Sequence, residues 1–389
     1  PFLSGIAKPI EGLSLPVGIS FYTFQIMSYT IDLYRRETEV QKNYIAFGTY
    51  VTLFPQLIAG PIVRYRDVDD QLIGRRENLA DFAAGVRRFC AGLAKKVLLG
   101  DGAAAAFRYF SAAAGFEHTA LGAWMTVICY TLHIYYDFSG YSDMAIGLGM
   151  MFGFKFPENF NYPYISRTVS EFWNRWHISL SSWFRDYLFY PVSRKAQPLG
   201  KKVKARWGKT AGRLTPSVIA LAVVWLSTGI WHGASWGYIL WGVYYGILLI
   251  SALIFQPTSK KLVKRLKINT NAPWFILFQT LRTMFLVLLG YVLFRSVTMG
   301  KAVGYFSAMF GLAGNALVDA AAVDALRNHA SALVLCAVGS TPVVGFLQRK
   351  LGRLGQSELV RHLVCFLLLI LSAAYIVSST YNPFIYFAF

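Results

Sequence analysis

Two histidines, each directly after a tryptophan, sit in stretches that otherwise read as membrane. They are His177 in EFWNRWHISLSSWFRDYLFYP and His232 in STGIWHGASWGYILWGVYYG. Imidazole is the side chain best suited to move a proton near neutral pH. A polar ring at membrane depth needs a hydrogen-bond partner, and a central charge costs roughly 2.5–3.5 kcal/mol on insertion scales. Polar groups kept at such depth usually serve a pathway or a reaction, so the pair points to proton-transfer chemistry on a substrate brought to, or through, a membrane. The bland alternatives are a packed tryptophan–histidine pair inside a helix turn for His232 and an interfacial ring for His177.

The elements that must position them follow from periodicity. Residues 168–190 are expected to form one amphipathic helix, with Asn174, His177, Ser181 and Arg185 on a shared face at steps of three and four. Trp173, Trp176, Leu180, Phe184 and Tyr187 form the adjoining apolar face, so the helix would lie at the interface or line a polar cavity. Asp186 is expected nearby. Ala120–Tyr141 reads as a span carrying His133 and Asp137, continued by the glycine-rich stretch that holds Asp143. An ion pair between Arg185 and Asp137 or Asp143 would satisfy charges buried in the membrane. Leu15–Tyr34 and Tyr44–Val63 are apolar but broken by Pro16, Gly18, Pro55, Gly60 and Pro61. Broken helices at membrane depth are tolerated where they are buried or line a cavity. Phe156–Tyr164 reads as a turn-rich loop.

Composition sets the class. The 389 residues are 55% hydrophobic and only 15% charged, against about 25% charged in soluble domains, and mean hydropathy is +0.43. Ile239–Phe255, Trp274–Phe294, Ala330–Leu347 and Leu359–Val377 each approach the ~20 residues that span a bilayer core. The expected fold is all-α and polytopic, a single integral domain over 1–389. The net charge of +19 does not indicate nucleic acid, because it is gathered in gaps between apolar runs: residues 194–213, 260–267 and 349–353. That is the positive-inside signature of cytoplasmic loops, which also attract anionic lipid headgroups. With 194–213 and 257–267 on one side, Ser217–Phe255 must cross and return, placing His232 at the turn, far from the basic loops. The four cysteines have no ligand or disulfide spacing, so no metal is expected.

Six segments in collinear order carry a family likeness: LPVGISFYTFQIMSYTIDLYR, LFPQLIAGPIVRYRDV, IYYDFSGYSDMAIGLGMMFGFKFPENFNYPY, EFWNRWHISLSSWFRDYLFYP, TGIWHGASW and NPFIYFAF. By these the chain resembles the bacterial branch of the membrane-bound O-acyltransferase superfamily, near the alginate O-acetyltransferase membrane subunits. The resemblance implies many broken and re-entrant helices around a central funnel, and further N-terminal helices that this chain would lack in part. It implies His232 as the catalytic base and His177 as a second active-site histidine, with Trp231 and Ser235 in the surrounding motif. It also implies an acyl donor, acetyl-CoA or an acylated carrier protein, with no bound cofactor. The expected partners are an extracytoplasmic SGNH-type transferase and a polysaccharide acceptor, and the expected site is the bacterial inner membrane. Tyr386 in the terminal motif is a candidate acyl relay; the alternative is an aromatic anchor at the interface. The chain departs from the family in having Tyr245 where many relatives have histidine. A transporter or a non-catalytic scaffold of an export complex are the rival readings.

Overall fold

The computed structural model describes residues 18–112, 119–233, 235–296 and 298–378. It is built of helices: α1 (Ile19–Tyr34), α2 (Tyr44–Thr52), α3 (Phe54–Leu57), α4 (Asp69–Gly74), α5 (Leu79–Ala94), α6 (Asp101–Ala112), α7 (Ala120–Met151), α8 (Val169–Arg175), α9 (Ile178–Phe184), α10 (Tyr190–Lys195), α11 (Gln197–His232), α12 (Trp236–Arg265), α13 (Pro273–Arg295), α14 (Met299–Met309), α15 (Ala320–Gly339), α16 (Val343–Lys350), α17 (Arg353–Gln356) and α18 (Glu358–Ser378). Among the described residues, α11, α12, α13, α15 and α18 are long and apolar enough to cross a membrane. The all-α polytopic expectation holds.

The centre is α7, 32 residues long and buried over most of its length. It lies along α5, and small residues let the two backbones touch. A Cβ on Gly140 would stand 2.7 Å from the Gly92 carbonyl, and one on Gly147 would stand 2.7 Å from the Gly85 carbonyl. Close helix approach through small residues is the usual packing device in membranes, where apolar side chains gain nothing over lipid. The α11–α12 pair packs the same way, with Gly229 against the backbone of Tyr238. The two run antiparallel, with Gly229 beside Tyr238 and Gly242 beside Trp225, so the basic ends, before Pro216 and after Gln256, come to the same side.

Three expectations need correction. Residues 168–190 are not one helix: α8 ends at Arg175, His177 takes a left-handed backbone (φ 46°, ψ 54°), and α9 starts anew at Ile178. The basic stretch 194–213 is not a loop. It is a helical hairpin turned at Gly208 (φ 87°), and its arms cross where a Cβ on Gly200 would lie 2.8 Å from the Gly212 carbonyl. Helix formers such as Lys, Arg and Ala fill both arms, so charge alone misread it. The apolar run Ala330–Leu347 is also broken, between α15 and α16, at Ser340–Pro342; Pro342 supplies no backbone donor there.

Candidate active site

The break at His177 is made by one buried side chain. Asn159, fully buried in the loop after α7, lies with its Oδ1 3.0 Å from His177 Nδ1. That oxygen also accepts from the Ser179 hydroxyl at 2.9 Å and from the Ser179 backbone N–H at 3.3 Å. The Asn159 backbone carbonyl takes the Ile178 N–H at 2.9 Å, and its Nδ2 donates to Ser142 Oγ on α7 at 3.0 Å. These contacts offset a left-handed conformation that a non-glycine residue rarely adopts. They also assign the ring. The Ser179 N–H can only donate, so the Asn159 atom it meets is the oxygen, and His177 must donate to it from Nδ1. Nε2 then carries the lone pair, and it has no hydrogen-bond partner among the described residues.

His232 closes α11, and its C-cap Gly233 adopts φ 144°, backbone that favours glycine. The ring is boxed by aromatic neighbours, with centroids 4.5 Å from Trp231 and 5.0 Å from both Trp241 and Phe294. Its nitrogens make no hydrogen bond to a described residue.

Both histidines line one cavity of about 570 Å³. Its walls are mostly aromatic and aliphatic, with Trp173, Trp176, Trp225, Trp241, Phe138 and Phe294 among them. The polar exceptions include Asn174, Ser181, Thr228 and Arg185. Along α11 the cavity is lined from Leu221 to His232, about 16 Å of helix at 1.5 Å per residue. It is therefore a channel, with His232 at one end and Arg185, Phe189 and Leu221 toward the basic hairpin. An apolar channel with a few aimed polar groups is the usual form of a small-molecule site.

The predicted residues divide. His177, His232, Asn174, Ser181 and Arg185 come together on this channel. Trp231 lies behind His232 against Phe24, ring centroids 5.7 Å apart. Ser235 sits at the start of α12, off the channel wall. Asp137 and Asp143 face the other side of α7: Lys96 is 2.6 Å from Asp137, and Arg88 and Lys95 lie 2.6 and 2.5 Å from Asp143. The expected pairing with Arg185 is wrong because Arg88 on α5 and Lys95 and Lys96 just beyond its end supply nearer cations. Arg185 instead pairs with Asp186 at 2.9 Å, which also takes Arg64 at 2.6 Å. Burial opposes the Asp186 charge, but the Arg185 and Arg64 guanidiniums outweigh it and hold the carboxyl below its usual range. Tyr245 is fully buried behind the channel wall, against Trp173 and Trp241 at 4.9 and 5.4 Å. Tyr386 lies outside the described residues. Asn159 was missed: within FPENFNYPY it reads as a turn residue, and only its burial reveals it.

An all-α bundle with several apolar helices long enough to span a bilayer defines a multi-pass membrane protein. The model of the MBOAT, membrane-bound O-acyltransferase family, matches residues 33–294, and the chain belongs to that family. It is 39% identical over 311 residues to a probable alginate O-acetylase, AlgI, of Azotobacter vinelandii, covering 80% of this chain and 56% of that protein. It is 32% identical to a peptidoglycan O-acetyltransferase of Helicobacter pylori, over 78% of this chain and 58% of that one. It is 31% identical to a teichoic acid D-alanyltransferase of Bacillus subtilis, over 67% and 65% respectively. The chain spans little more than half the length of the first of these relatives.

Proposed function

We propose that the protein is an O-acyltransferase of the bacterial cytoplasmic membrane. It moves an acyl group, acetyl in the simplest case, from a cytoplasmic thioester toward hydroxyls of an extracytoplasmic polysaccharide or wall polymer. The observation that carries the reading is the shared channel: two histidines from separate elements, each with an imidazole nitrogen not bonded to a described residue, meet in an apolar space. The relatives' names support the chemistry, since they include acetyl and alanyl transfer to surface polymers.

In this reading His232 is the base. An acceptor hydroxyl oxygen attacks the thioester carbonyl carbon while its proton passes to His232. The carbon–sulfur bond then breaks, and the proton leaves with the thiolate as a thiol. A positioned base of this kind contributes typically 10²–10⁴-fold. His177 accepts a hydrogen bond at Nε2 and orients the acceptor. The aromatic walls exclude water, which otherwise competes for the thioester. Donors with an acyl group on a long arm, such as acetyl-CoA or an acylated carrier protein, suit the channel's length. Tyr386 remains proposed as a relay to an SGNH-type partner.

The test is the O-acetyl content of the surface polymer in cells making the full protein with His232 or with His232→Ala, at equal abundance. Loss of acetyl is expected. Normal acetylation by the variant would sink the assignment and bring the transporter or scaffold forward.

A further inference from the structure

On the side of α8 away from the channel lies a second, open groove of about 740 Å³, between α8 and the first turns of α13. Its two walls differ in kind. One is apolar, from Pro273, Ile276 and Leu277, and Leu277 is more than half exposed next to the exposed Trp274 and Phe278. The other presents Arg167 and Arg175. Arg282 flanks it, donating from Nη2 to the Arg167 carbonyl at 3.1 Å. Glu171 is the carboxylate on this wall, and it is occupied: Arg175 pairs with it at 2.8 Å and the Arg167 backbone N–H donates to it at 2.9 Å. The Arg167 guanidinium makes no hydrogen bond or ion pair to a described residue. Arg175 thus neutralises the one carboxylate, and Arg167 and Arg282 leave this wall net positive.

The position of the groove narrows the ligand. It opens at the start of a candidate span, where an exposed tryptophan marks headgroup level, and on the side that carries Lys260, Lys261, Lys264, Arg265 and Lys267. Guanidinium is the side chain that grips phosphate through paired N–H donors. A ligand that lays acyl chains on Ile276 and Leu277 and a phosphate on Arg167 is a phospholipid, and the net positive wall favours an anionic one.

The geometry points to a binding site for an anionic phospholipid between α8 and α13. The consequence is positional. One face of α8 carries Glu171 and Arg175 into the groove, and the other carries Trp173 and Asn174 into the channel. A lipid held in the groove therefore lies against the helix that ends directly before the His177 break.

The test is thermal unfolding of the full protein in neutral detergent, with added phosphatidylglycerol, phosphatidylcholine or inorganic phosphate. A ligand that binds the folded state raises the midpoint. The expected result is a rise with phosphatidylglycerol alone, lost in Arg167→Gln and kept in the hairpin control Lys201→Gln/Lys202→Gln. Equal shifts with phosphatidylcholine or with phosphate, or an undiminished shift in Arg167→Gln, would overturn the site. Native mass spectrometry of co-purified lipid supplies a second readout, in which wild type retains phosphatidylglycerol and folded Arg167→Gln does not. Neither readout depends on acyl transfer.

Discussion

Asn159 Oδ1 lies 3.0 Å from His177 Nδ1 in a site where both side chains are buried. This one bond sets the tautomer of a histidine and helps hold its backbone in a left-handed turn. Asn159→Ala leaves Nδ1–H and the Ser179 donors unpaired, which costs about 1–3 kcal/mol for each buried group left unsatisfied. Unfolding midpoints measure that loss. Asn159→Asp keeps the acceptor and adds a negative charge beside the imidazole, favouring its protonated form. The acid limb of the activity profile should therefore move to higher pH. A purely structural Asn159 would leave that limb in place.

The His177 backbone (φ 46°) complicates the obvious alanine variant, because alanine resists that conformation. Asparagine tolerates it. His177→Asn should fold with a midpoint near wild type and still lose acyl transfer about 10²-fold or more. Retained transfer at wild-type abundance would return His177 to a structural role.

Lys96 sits 2.6 Å from the fully buried carboxylate of Asp137. Removing one partner of such a pair leaves a buried charge and costs about 3–5 kcal/mol. Lys96 also pairs with Asp101 at 3.2 Å, so the larger loss comes from removing the cation. Lys96→Met takes it from the fully buried Asp137 and should lower the midpoint strongly, and adding Asp137→Ala should recover much of it. A double variant no better than Lys96→Met alone would show that the buried Asp137 charge is not what fails.

Asp186 has its pKa below the ordinary carboxylate value, since its arginine partners outweigh burial. A lowered folded-state pKa contributes stability above the unfolded value, about 3.9, and loses it as pH falls through the folded one. Asp186→Asn should therefore narrow the gap to wild type below about pH 4, where wild type surrenders the same charge. The group is partly exposed, so the effect should be small and should shrink in high salt. Midpoints from pH 3 to 7 at two salt concentrations check both points.

Much of this was legible in the sequence. His177, Asn174, Ser181 and Arg185 were readable because they share short-range spacing, and His232 because it follows a tryptophan in an apolar run; all line the channel. What escaped depends on contacts distant in the chain. The His177 break rests on Asn159, which no helical period connects to it. Asp137 and Asp143 looked like partners for Arg185 because the alternatives, Arg88 on α5 and Lys95 and Lys96 just beyond its end, are distant in the chain. The hairpin at Gly208 escaped because charge marks the side of a membrane, not whether the backbone is coiled.

The glycine contacts between α5 and α7 also fix what can slide. Gly85 meets Gly147 and Gly92 meets Gly140, one pair two turns from the other. Shifting either helix by a single turn would drive a side chain into a carbonyl at both places. The joint has one registration, like two notched bars. Ser142 rides on that bar beside Gly140 and is tied to Asn159, so the His177 turn is anchored to this joint.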